Sequence, residues 1–139
     1  VALHALKWFE TFQFKVDGLI LFQPTTPFRD KKKIIEGIRL FKKNKFKKVL
    51  GVSTIKNFPI SFFKGSKKNI VPISNNKIFY KKKLYFRVNG SFYLISSKEL
   101  KIKKSFIKGE SVPLIIDNFR ETIDIDTKKD LILAKKLLN

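Results

Sequence analysis

Residues 19–53 constrain the fold more than any other stretch. Leu19-Ile20-Leu21-Phe22 is an unbroken apolar run, the pattern of a strand buried on both faces. Gln23-Pro24-Thr25-Thr26-Pro27-Phe28-Arg29 follows it. Two prolines three residues apart forbid both a helix and a strand ladder, so this segment is a loop. Asp30 is placed to cap a helix whose apolar stripe is Ile34, Ile38 and Phe41. After a lysine-rich stretch at 42–48, Val49 to Ser53 is a second buried-type strand. Strand, helix and strand joined by short connections imply a parallel sheet covered by helices.

The flanking segments extend this pattern. Val1 to Phe14 reads as a helix with Ala5, Trp8 and Phe12 on one face, and Asp17-Gly18 turns the chain into the first strand. From Thr54 to Tyr85 the periodicity is lost and Pro59, Gly65 and Pro72 appear, so an inserted excursion is expected, with short strands at Ile70-Val71 and 77–80. Ser91 to Ile95 alternates as a strand. Ser96 with Glu99, and Thr127 with Asp130, have the spacing of capping boxes. Val112 to Ile116 reads as a strand and Glu121 to Ile125 as a further one. A last helix carries Leu131, Ala134, Leu137 and Leu138.

The 139 residues amount to one domain, long enough to bury roughly two-thirds of the unfolded surface. No cysteine is present and His4 is the one histidine, which excludes thiolate chemistry and multi-histidine metal sites. No apolar run reaches membrane-spanning length and no signal-peptide pattern occurs, so a cytoplasmic setting with no membrane partner is the default expectation. The chain opens on Val1 and contains no methionine, from which an absent N-terminal portion is expected. The net charge is +20, which suits a polyanionic partner. Nearly all of that charge is lysine, with arginine only at positions 29, 39, 87 and 120, whereas specific nucleic-acid readers favour arginine's bidentate fork. The Ile, Phe, Asn and Lys bias also follows from A/T-rich codons. Nucleic acid is therefore not the expected partner, and a basic nucleic-acid-binding domain is the alternative reading.

Three constellations carry possible chemistry. At the end of the first strand, Gln23 offers an amide that both donates and accepts, and Arg29 offers a guanidinium for carboxylate or phosphate. A stiff strand-to-helix turn accounts for the same residues. Arg87, Asn89 and Tyr93 share parity along an extended segment and form a polar strip able to read a sugar or carboxylate, or else flank a hairpin turn at Asn89-Gly90. Asp124 and Asp126, two apart on an extended segment, point to one side and supply hard oxygen ligands for Mg²⁺, or else compensate the dipole of the last helix.

In this order and spacing, the three segments resemble the acylneuraminate (nonulosonic acid) cytidylyltransferase family. Gln23 to Arg29 is similar to its LQPTSPLR motif, Arg87 to Tyr93 to its NGAIY segment, and Asp124 to Thr127 with Asp130, Leu131 and Ala134 to its DIDTxxDLxxAE ending. The resemblance implies a Rossmann-like α/β nucleotidyltransferase fold, mostly parallel with helices on both faces. It further implies a cytoplasmic homodimer that transfers CMP from CTP to a nonulosonic α-keto acid sugar with Mg²⁺. Asp124 and Asp126 would be the catalytic metal ligands. Gln23, Asn89 and Tyr93 would face the sugar, with Arg29 and Arg87 nearby and Phe106 as an aromatic wall. Residues 54–85 would be the dimerisation and substrate-lid segment of a single partial domain spanning 1–139. The family's glycine- and lysine-containing phosphate loop has no counterpart in these residues, so the chain is expected to be an incomplete or inactive fragment. Its Arg-Gln pair before the Asn-Gly is replaced by Phe79, Tyr80 and Lys81, and a lysine after the excursion's proline is replaced by Ser61, so which nonulosonic acid is used stays open.

Overall fold

The computed structural model of the chain describes residues 1–55, 63–65, 70–72 and 85–138. Two compact units are present, one comprising 1–53 with 88–139 and the other 54–87. In the larger unit the order is α1 (Ala2–Thr11), β1 (Gly18–Leu21), α2 (Lys31–Lys43) and β2 (Val49–Ile55). The smaller unit holds β3 (Phe63–Gly65) paired antiparallel with β4 (Ile70–Pro72). Then come β5 (Tyr85–Ser96), α3 (Ser97–Lys103), β6 (Val112–Ile115), a 3₁₀ turn at Arg120–Thr122 and α4 (Lys128–Leu138). The expected strand at 77–80 lies outside the described residues.

The main sheet has the order β1-β5-β2-β6 and is mixed. β2 and β6 run parallel, while β1 pairs antiparallel with β5 from Gly18↔Ser96 to Leu21↔Tyr93. This corrects the expectation of a parallel sheet. Sequence periodicity fixes which residues are strand but not the direction of a partner 75 residues away. Mixed sheets of this kind are common in α/β folds.

Two faces sandwich the sheet. Phe92 and Leu94 of β5 join Val49, Phe41 and Leu114 in a core closed by Ile34 and Ile38 of α2. Gly37 brings α2 close, since a Cβ there would stand 2.5 Å from Phe92 Cζ. On the other face Ile95 packs with Leu6 of α1 and Leu100 of α3. α2 starts as its sequence dictates, with Asp30 accepting from Lys32 N–H at 2.8 Å.

Three local expectations differ from the structure. The Trp8–Phe12 face of α1 is exposed, its rings stacked edge-on at 4.8 Å, while Ala2, Leu3 and Leu6 form the buried face. β1 is an edge strand instead of a strand buried on both sides, leaving Ile20, Leu21 and Phe22 each more than a third exposed. Residues 121–125 are not a strand, because the 3₁₀ turn at Arg120–Thr122 takes up half of the segment. Glu121 is buried there and its Oε1 accepts from Asp30 N–H at 3.0 Å.

Candidate functional site

The loop leaving β1 is built around Thr26, which is fully buried. Its N–H and its hydroxyl both donate to the Gln23 carbonyl, at 3.2 and 3.0 Å, and the hydroxyl also lies 3.2 Å from the Gly90 carbonyl. Arg29 closes the same turn by donating to the Gln23 carbonyl and, at 3.1 Å, to Thr26 Oγ1, while its guanidinium lies 4.9 Å above the Phe22 ring. Burial lowers the Arg29 pKa from its ordinary value. Its Nη2 is thus engaged inside the loop and braces Gln23, while its buried Nε has no hydrogen-bond partner. Two links tie the loop to the chain before α4. Ile125 N–H donates to the Thr25 carbonyl at 2.8 Å, and Phe28 packs with Ile123 and Ala134.

Those links bring Asp124 to the end of β1. Gly90, at φ +79°, is the hub: a Cβ added there would lie 2.6 Å from Gln23 Oε1, 3.1 Å from Thr26 Cγ2 and 3.6 Å from Asp124 Oδ2. Only a residue without a side chain lets these three groups meet. Tyr93 faces the same cluster, its hydroxyl donating to Gln23 Oε1 over a long 3.4 Å contact. Burial, and secondarily the negative charge of Asp124, raise the Tyr93 pKa above its ordinary value of 10.0. Tyr93 is therefore a neutral hydroxyl donor at physiological pH. Phe106 covers Tyr93 edge-on, with ring centroids 6.2 Å apart.

One expected member falls elsewhere. Asn89 is buried and fully engaged inside the sheet. Its Nδ2 donates to Ser53 Oγ (3.0 Å) and the Ile116 carbonyl (3.2 Å), and its Oδ1 accepts from Ser91 Oγ at 2.6 Å. The shared-parity argument fails because strand alternation breaks between Ser91 and Phe92. Ser91 and Phe92 are consecutive yet both border the α2 side, where Ser91 Oγ stands against Gly51. Tyr93 packs with Leu50 and Val52 on the opposite face. Arg87 is exposed and belongs to the smaller unit.

The aspartate pair also departs from its expected geometry. Asp126 N–H donates to the Asp124 carbonyl at 3.2 Å, so the backbone turns at 124–126 where an extended segment was expected. Asp124 faces the Gly90 cluster and Asp126 is exposed. Among the described residues no three His, Cys, Asp or Glu side chains gather as a closed metal site. The donor chemistry still suits Mg²⁺, which takes one or two carboxylates and fills its shell with water and phosphate oxygens. Asp124 Oδ1 is buried without a hydrogen-bond partner, an acceptor that a cation would satisfy. Sequence reasoning missed Thr26 and Gly90 as parts of the site. The Asn-Gly pair was visible only as a turn signal, and Thr26 carried none.

No protein-family model matches the chain. At 31% identity over 139 aligned positions, 94% of the chain is similar to a CMP-N,N'-diacetyllegionaminic acid synthase of Legionella pneumophila subsp. pneumophila strain Philadelphia 1. The chain spans 57% of that relative's length. The match takes in the Gly90-centred cluster and the three motifs, and it supports the resemblance to the nonulosonic acid cytidylyltransferase family.

Proposed function

We propose that this chain supplies the acceptor-sugar side of a cytidylyltransferase that makes a CMP-nonulosonate from CTP and a nine-carbon α-keto acid sugar. The convergence of Gln23, Tyr93 and Asp124 around Gly90 carries the reading. Tyr93 donates to Gln23 Oε1, which leaves the amide Nε2 protons as the end that donates to a sugar hydroxyl or carboxylate. Arg29 and Thr26 hold the Gln23 backbone, so the amide is oriented before the sugar arrives. Phe106 with Tyr93 forms an apolar wall that excludes water from one side of the sugar.

In the transfer, the anomeric hydroxyl oxygen of the acceptor forms a bond to the α-phosphorus of CTP. The bond from that phosphorus to the bridging oxygen breaks, pyrophosphate leaves with the electron pair, and the hydroxyl proton passes to a base. Mg²⁺, when bound, neutralises charge growing on the phosphate oxygens. Asp124 would hold it through the orphaned Oδ1, with Asp126 two residues further along the chain. The reading extends to a cytoplasmic homodimer in which residues 54–85 make the partner contact, and to a Rossmann-like fold. The relative's name directs the choice of acceptor toward the diacetyllegionaminic acid class.

The test is acceptor binding by saturation-transfer NMR with N,N'-diacetyllegionaminic acid, N-acetylneuraminic acid and a neutral hexose. Binding of the nonulosonic acids, lost in Gln23→Ala, is expected. Equal binding of the hexose, or unchanged binding by Gln23→Ala, overturns the reading.

A further inference from the structure

Lys48 is fully buried, although lysine is among the residues least often found inside a protein. Its ammonium donates to the Lys108 carbonyl at 2.6 Å and to Glu99 Oε1 at 3.1 Å. Its own carbonyl accepts from Val112 N–H at 2.7 Å. One residue at the foot of β2 therefore grips the 104–111 loop in its middle and at its far end. The near end is held by α3, where Lys104, at φ +50°, donates to the Leu100 carbonyl at 2.9 Å.

The loop is short and tightly turned. Ser105 Oγ accepts from both Ile107 N–H and Lys108 N–H at 3.3 Å, which ties residues 105–108 into one turn. Phe106 lies inside that turn. It packs on the Leu6–Ile95–Leu100 cluster on one side and on Leu50, Val52 and Tyr93 on the other. A buried ammonium that loses its partners costs several kcal/mol, so the loop cannot lift off while Lys48 stays in place. Glu99 shows where the design departs from simple capping. Ser96 Oγ accepts from Glu99 N–H at 3.2 Å, as in a capping box, but the Glu99 carboxylate reaches Lys48.

We infer that Lys48 is a positioning residue for the candidate site, setting Phe106 against Tyr93 by tethering the 104–111 loop to the start of β2. The tether itself stands on the contacts above. Its consequence for sugar binding rests on the acceptor-site reading.

The test uses the full chain and ¹³C-labelled tyrosine, which gives three ring signals from Tyr80, Tyr85 and Tyr93. In Lys48→Met, which keeps the packing volume, the Tyr93 ring signal moves and its ionisation returns toward that of free tyrosine. Phe106→Ala produces the same change, and the double variant adds nothing to either single one. Glu99→Gln moves Tyr93 in the same direction by less, and keeps the test available if Lys48→Met does not fold. A purely structural lysine would lower the urea midpoint and leave the native Tyr93 signal and titration as they are. Unchanged Tyr93 behaviour in the folded variant, with Phe106→Ala shifted, overturns the inference. Acceptor binding is measured in parallel and is expected to weaken about tenfold, which corresponds to about 1.4 kcal/mol. A shifted Tyr93 signal with no acceptor bound by any form overturns the acceptor-site reading and leaves the tether standing.

Discussion

Gly90→Ala is the perturbation that the site geometry determines most closely. The residue sits at φ +79°, where an L side chain costs about 1–2 kcal/mol. The new methyl would also meet Gln23 Oε1 at 2.6 Å and Thr26 Cγ2 at 3.1 Å. Gln23 can swing aside, because its amide is the free end of a flexible side chain. Doing so breaks the long Tyr93 contact, a loss of about 0.5–1.5 kcal/mol at most. Thr26 cannot follow, being fully buried and bonded to both the Gln23 and Gly90 carbonyls. Strain and displacement together come to about 2–3 kcal/mol. For a chain of this length that lowers the thermal midpoint by roughly 6–12 °C. Urea unfolding followed by far-UV circular dichroism measures the free energy directly, and tyrosine NMR reports whether Gln23 has left Tyr93. A variant within about 0.5 kcal/mol of the parent, the usual range for an inconsequential surface change, would refute the packing argument.

Three further outcomes follow from the same structure. Gly37→Ala gains up to about 1 kcal/mol of helix propensity but places a methyl 2.5 Å from Phe92 Cζ, and overpacking of a buried core costs about 1–3 kcal/mol. A lower urea midpoint is therefore expected, recovered in part when Phe92→Leu is added, and a raised midpoint would contradict it. Thr127 donates to Asp130 from both N–H and hydroxyl, and these bonds lower the Asp130 pKa below its ordinary 3.8. The stabilisation is present above that ordinary value and is lost as the pH falls through the folded-state pKa, so Thr127→Ala should flatten the acid limb of the stability curve, and an unchanged limb would count against it. Tyr93, with its pKa raised, contributes stability that is complete below pH 10.0 and lost as the pH rises through its folded-state pKa. Asp124→Asn removes the smaller cause, so ultraviolet titration should show the Tyr93 midpoint falling only part of the way back.

Local chemistry was legible in the sequence wherever a short-range rule decides the structure. Asp30 caps α2, Thr127 and Asp130 form a reciprocal box, and two prolines make residues 23–29 a loop. Burial was less legible, because an apolar run such as Leu19–Phe22 does not reveal whether its strand lies at the centre or the edge of a sheet. Parity failed at Asn89 for a definite reason: Ser91 and Phe92 border the same side of the sheet, so Asn89 and Tyr93 end on opposite sides of it. The aspartate pair shows a related limit, since the backbone turns at 124–126 where the sequence pattern implied an extended segment. Gln23, Tyr93, Phe106 and Asp124 were named from the sequence and do converge, yet the residues that make their meeting possible, Thr26 and Gly90, belong to contacts more than 60 residues apart in the chain.

The account depends on an acceptor sugar docking on the side chains that Gly90 brings together. Its most direct test is a ¹H–¹⁵N titration of the labelled chain with N,N'-diacetyllegionaminic acid. The account predicts saturable shifts at the Gly90 amide, the Thr26 amide and the Gln23 side-chain amide, all three lost in Asp124→Asn and the two backbone shifts lost in Gln23→Ala when magnesium is present. Shifts confined to the lysine-rich surface, or a titration that leaves Gly90 unmoved while the sugar binds, would contradict it.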